Sequence, residues 1–155
     1  MKNLRSIFAL AFVAALMVTS ASCKKDKNES GGGNSYYEYG GEKNNITLAN
    51  EKHIGGDIFL ELTSKKVGNY LQINFAGVAA LPIGVLTYHA DRNSGYNLQT
   101  NFWATALGIQ GNSIPISGGT ITVSKSGNTY KIVFNLDTAN GKITGEFNGV
   151  TTVSN

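Results

Sequence analysis

The sequence predicts an all-β domain, an antiparallel sandwich or barrel of about eight to ten strands. Three observations carry that prediction. Apolar residues recur with period two along most of the chain from Tyr36 onward, the spacing that puts one face of a strand on a core and leaves the other wet. Short clusters of Gly, Asn and Ser punctuate the runs, and all 19 glycines lie at or after Gly31. Outside residues 1–22 there are no long Ala/Leu/Glu/Lys stretches of the kind that favour helix.

The runs follow one another in a simple order. Ile58, Leu60 and Leu62 alternate with Phe59, Glu61 and Thr63, and Leu71, Ile73 and Phe75 alternate with Gln72 and Asn74. Ile121 and Val123 sit between Thr120, Thr122 and Ser124, and Tyr130, Ile132, Phe134 and Leu136 between Lys131, Val133 and Asn135. Turns are expected at Gly55-Gly56, Lys66-Val67-Gly68-Asn69, Asn93-Ser94-Gly95, Ser117-Gly118-Gly119, Ser126-Gly127-Asn128 and Ala139-Asn140-Gly141. Several are short and Asn/Gly-rich enough to close hairpins. A body of this length buries roughly two-thirds of its unfolded surface, so it needs neither metal nor disulfide to fold, and no cofactor is expected.

Three segments are expected along the chain. Residues 1–22 read as a signal peptide: a basic start with Lys2 and Arg5, an apolar run from Ile7 to Val18, and small residues Ser20-Ala21-Ser22. The apolar run is too short to span a bilayer as a helix. Residues 23–35 read as a tether, because Lys24 to Ser35 contains no apolar residue and carries Gly31-Gly32-Gly33. Residues 36–155 are the β domain.

Cys23 is the only cysteine and stands where the small residues end. Thr19-Ser20-Ala21-Ser22-Cys23 resembles a lipobox, the site at which a diacylglyceryl group is added to cysteine and the signal is removed, with Ser20 where the commonest form has Leu. With Lys24-Lys25-Asp26-Lys27 behind it, the segment is similar to those of small outer-membrane or surface lipoproteins of the Bacteroidota type. The resemblance implies a lipid on Cys23 and a membrane partner, at the outer membrane. Acids after the cysteine are few (Asp26 and Glu29), so the surface and the periplasmic face both stay open. The stretch from Gly119 to Gly149 also resembles the closing hairpins of such lipoproteins, with Gly145 and Gly149 flanking Phe147 on one face as a bend or close strand approach requires.

Charge excludes one class of partner. From Tyr36 onward eight Lys and Arg balance eight Asp and Glu, which leaves no electrostatic footprint for a nucleic acid. Chemistry is sparse. Glu51 and His53 share a face, as do His89 and Asp91, but two residues do not make a metal site. No serine has a nucleophile-elbow setting, and the acids are scattered singly.

One arrangement suggests a ligand. Read as a single strand from Gly95 to Ala106, the chain puts Tyr96, Leu98, Thr100, Phe102, Ala104 and Ala106 on a core face. Asn97, Gln99, Asn101, Trp103 and Thr105 then share the outer face, three amides and a hydroxyl beside the only tryptophan. A sugar ring offers hydroxyls to the amides and a C–H face to the indole. Asp137-Thr138-Ala139 resembles an O-glycosylation acceptor of exported Bacteroidota proteins, which marks Thr138. The expected function is a non-catalytic, membrane-anchored binding or accessory module of the cell envelope, with polysaccharide as the candidate ligand. The alternatives are a structural envelope protein with a protein partner, and a small hydrolase in which two or more of His53, His89, Asp57, Asp91 and Glu61 converge.

Lipidation is directly testable. Cys23→Ala is expected to release the protein from membranes during detergent-free washing, as read by cell fractionation; retention equal to that of the parent would contradict it.

Overall fold

The computed structural model describes residues 34–154; the expected signal peptide, Cys23 and the tether up to residue 33 lie outside them. The described residues form ten strands and no helix. They are β1 (Tyr36–Tyr39), β2 (Glu42–Ile54), β3 (Asp57–Ser64), β4 (Tyr70–Phe75), β5 (Gly84–Tyr88), β6 (Asn101–Ile109), β7 (Asn112–Ser126), β8 (Thr129–Thr138), β9 (Gly141–Gly149) and β10 (Thr152–Ser154). The all-β expectation holds, within the expected number of strands.

The sheet is mostly antiparallel and its pairing returns on itself. Neighbours run β9-β8-β7-β6-β4-β3-β2, and β5 wedges between β6 and β7 over part of their length. β1 then pairs on both sides, with β9 and with the first residues of β2. Further along β2, β10 pairs directly with Asn50–Lys52 in parallel. β9 and β10 therefore close against β2 twice, with β1 between them over one half of the seam and in direct contact over the other.

Two long strands turn the corners. In β2 the register shifts between Ile46 and Leu48, and in β7 between Ile116 and Gly118. Each shift places one extra residue on the long strand, which bends it and reverses which face points inward. Inward residues accordingly run Asn44, Ile46, then Ala49 and Glu51 in β2, and Ile116, then Ile121 and Val123 in β7. Ser117-Gly118-Gly119 is thus a bulge inside a 15-residue strand and not the turn expected from its composition. The other alternations are as read: Ile58, Leu60, Leu62, Leu71, Ile73, Phe75, Ile121, Val123, Ile132, Phe134 and Leu136 are all buried in one core.

The two ends of this body differ. At one end the connections are short, and the buried Asn69 side chain closes it by donating to Asn44 Oδ1 at 3.0 Å and accepting from the Gln110 N–H at 2.9 Å. At the other lie the Gly55-Gly56 and Gly127-Asn128 turns, residues 150–151, and the long connection 76–100 that carries β5. Loops gathered at one end of a rigid scaffold are where binding groups concentrate.

Closure by β1 depends on Gly145. A methyl group there would collide with the Tyr36 carbonyl oxygen and the Phe134 ring. Gly145→Ala is expected to cost about 1–3 kcal/mol through overpacking, read as a lower urea midpoint; an unchanged midpoint would mean that β1 is not held against β9.

Candidate functional site

The inward rows change character as they reach the loop-rich end. In β2 the row passes from Ala49 to Glu51 and His53. In β7 it passes from Ile121 and Val123 to Lys125, and in β8 it ends on Tyr130. Lys125 and Tyr130 are cross-strand partners, and the Gly127-Asn128 turn, with Gly127 at φ 57°, fixes that register. Two residues past Gly149, the inward end of β9, stands Thr151.

These groups line one open depression of about 390 Å³, walled also by Ala79, Ala80, Val150 and Val153. Glu51 is only 4% exposed, and burying a carboxylate is costly unless donors reach it. The Thr151 hydroxyl donates to its Oε1. Its Oε2 lies 3.7 Å from His53 Nε2, beyond hydrogen-bond length, and that buried nitrogen has no hydrogen-bond partner. Lys125 Nζ donates to Tyr130 Oη at 3.0 Å and lies 4.5 Å over the ring. That hydrogen bond, aided by the charges of Tyr130 and Glu51, holds the Lys125 ammonium above its ordinary pKa. The mouth therefore offers an acceptor-only carboxylate, a donor-only ammonium, and an imidazole and a phenol between them.

The expected glycan face is arranged differently. Residues 95–100 do not extend β6, which begins at Asn101. Asn97 accepts from the Gln99 N–H at 2.9 Å, and its own N–H donates to Asn101 Oδ1 at 2.8 Å. Asn101 Nδ2 donates to the Thr87 carbonyl at 3.1 Å. Asparagines bonding nearby backbone in this way favour a turn over a strand, so Asn97 and Gln99 do not line up with Asn101 and Trp103. Leu98, expected in the core, is exposed. A bulge opposite Gln72 and Asn74 then shifts β6, so that Thr105 is buried where an outward position was expected. Trp103 is half-buried with the Arg92 guanidinium 5.0 Å from its ring centroid, and its indole N–H is buried without a hydrogen-bond partner.

The residues named for hydrolysis are engaged with different partners, and two of them, His89 and Asp91, meet through a backbone carbonyl. His53 is beside Glu51, Asp57 pairs with Arg92, His89 Nδ1 meets the Asp91 carbonyl, and Glu61 pairs with Lys52 at 2.9 Å. Among the described residues no group of three or more His, Cys, Asp or Glu could hold a metal ion. Thr138 is buried, and its hydroxyl donates to the Gly141 carbonyl at 2.9 Å and accepts from the Asn140 N–H at 3.2 Å. A sugar on this oxygen would remove the proton that it donates to Gly141.

The mouth was partly legible beforehand. Glu51 and His53 on one face were visible from spacing alone. Lys125, Tyr130 and Thr151 were missed, although the Gly-Asn turn implies the Lys125–Tyr130 pairing. Compared with protein-family models, curated proteins and solved structures, the chain shows no significant match to any of them.

Asp57 pins the long connection beside the mouth. Its Oδ1 accepts from the Gly77 N–H at 3.0 Å and its Oδ2 binds Arg92. Tyr96, whose phenol is pushed up by burial, bridges the same segment by accepting from the Ala76 N–H and donating to the Asn101 carbonyl. Asp57→Ala is expected to cost about 1–3 kcal/mol, mostly through the Gly77 bond because Arg92 is half exposed. Limited proteolysis should then cut first within residues 76–100; an unchanged melting point and cleavage pattern would contradict the clamp.

Proposed function

We propose that this protein is a lipid-tethered, non-catalytic binding module of the cell envelope that takes a small polar ligand at its loop-rich mouth. The observation that carries the reading is the change in the inward rows. The same strand faces that are apolar through the core end in Glu51, His53, Lys125 and Tyr130, on a depression open to solvent. Convergent polar groups on such a concavity are the usual form of a small-ligand site in the mouth of a β structure. Binding is favoured over hydrolysis because His53, Asp57, His89 and Glu61 each serve a different partner. The lipid on Cys23 supplies the anchor, at the outer membrane, and the polar run behind it supplies the reach.

The site is mapped by backbone amide NMR of the purified protein with a panel of sugars, amino acids and nucleosides. Shifts are expected to concentrate on residues 51–53, 125–130 and 150–153. Shifts gathered instead around residues 97–103, or none anywhere, would contradict the reading and favour a structural role with a protein partner.

A further inference from the structure

We propose that β10 is a docking edge: an extended segment of a partner protein adds to it as a strand and seats an apolar side chain in the depression beside it. The inference goes beyond a small ligand in the mouth and does not depend on one.

The pairing of the sheet singles out this strand. Among the described residues β1 to β9 each pair with neighbours on both edges, whereas β10 pairs with β2 alone. The N–H and C=O groups that β10 turns away from β2 therefore have no strand to meet. Edges of this kind are usually blunted by Pro, by charge or by a bulge. Thr152-Val153-Ser154 has neither Pro nor charge, its register with β2 is unbroken, and Thr152 and Val153 are exposed. Brevity is its one safeguard. Three residues are too few to template open-ended pairing, so a partner held there must gain from side chains as well as from backbone.

What lies beside the edge supplies that gain and selects the partner. Val150 and Val153 line the depression with Ala79 and Ala80, and all four are exposed. Residues 78–81, which share it, belong to no strand and make no backbone–backbone hydrogen bond among the described residues. An extended peptide answers backbone N–H and C=O groups in series and turns a side chain to the same face at every second position. No compact small molecule does both. A second copy of this chain would bring only its own three-residue edge, far short of the roughly 800 Å² per partner in a standard interface. Charge narrows the segment further. Glu51 is 4% exposed, so the exposed charge on the depression is Lys125, which favours an acidic residue next to the apolar one.

The test is selection of a random heptapeptide display library on the immobilised protein, followed by NMR of the isotope-labelled protein with the enriched peptides. Sequences that set an apolar residue beside an acidic one are expected. In the free protein the β10 amides facing away from β2 should exchange quickly, and bound peptide should protect them and show cross-strand contacts to residues 152–154. Val153→Lys, at an exposed position, should weaken binding by about tenfold or more, while Val67→Lys at the opposite end should leave it unchanged. The cross-strand contacts decide the matter even if the Val153 variant folds poorly. Enriched peptides that contact residues elsewhere, or that ignore Val153→Lys, overturn the proposal, as does a selection that enriches nothing. If sedimentation shows a dimer that Val153→Lys dissociates, the edge is taken by a second copy and the partner segment falls.

Discussion

The short strand Tyr36–Tyr39 pairs on both sides, Tyr36–Glu38 with Glu146–Thr144 of β9 and all four residues with Asn45–Glu42 of β2. An edge strand left unpaired presents a row of free N–H and C=O groups, and β1 removes two such rows at once. Tyr37 points from it into the core and is fully buried. Ser35 extends the stitch, giving its carbonyl to the Ile46 N–H at 2.9 Å and accepting from the Asn148 N–H at 2.9 Å. Beyond Ser35 the seam changes hands, and β10 meets β2 directly.

That change of hands positions the mouth. Thr151 lies in the step between β9 and β10, and the step brings its hydroxyl onto Glu51, a hundred residues earlier in the chain. Thr152 fixes the same crossing by donating to the Ala49 carbonyl at 3.2 Å. The polar end of the β2 row would otherwise be unrelated to the β7–β8 hairpin that carries Lys125 and Tyr130. Held by the seam, they face one depression, while the opposite end is plugged by the Asn44–Asn69 amides. A buried carboxylate is tolerated there because Thr151 donates to it and Lys125 shares its field.

How far the sequence could be read follows from which faces are wet. Ile58, Leu60 and Leu62 alternate with residues left partly open to solvent, so period two identified both the strand and its core face. The same holds for Ile132, Phe134 and Leu136. Alternation fails where a bulge inserts a residue. Gly118 and Gly119 have the composition of a turn but serve a bend, and a side chain at Gly119 would collide with the backbone of β8. It fails again at residues 95–100, where asparagine side chains capture nearby backbone and make a turn from what spacing reads as strand. Glu51 and His53 were legible as a pair because they share a strand. Thr151 was not, since only the seam, set by pairing between the two ends of the described chain, brings it to them.

Native-state hydrogen exchange on the purified protein tests this dependence most directly. The account predicts that the hydrogen-bonded amides of β1 exchange only by the global unfolding that also releases β8 and β9, because the strand is paired along both of its edges. Exchange of β1 at loop rates while β8 and β9 stay protected would contradict it, and the mouth would then have to be assembled by something other than the seam.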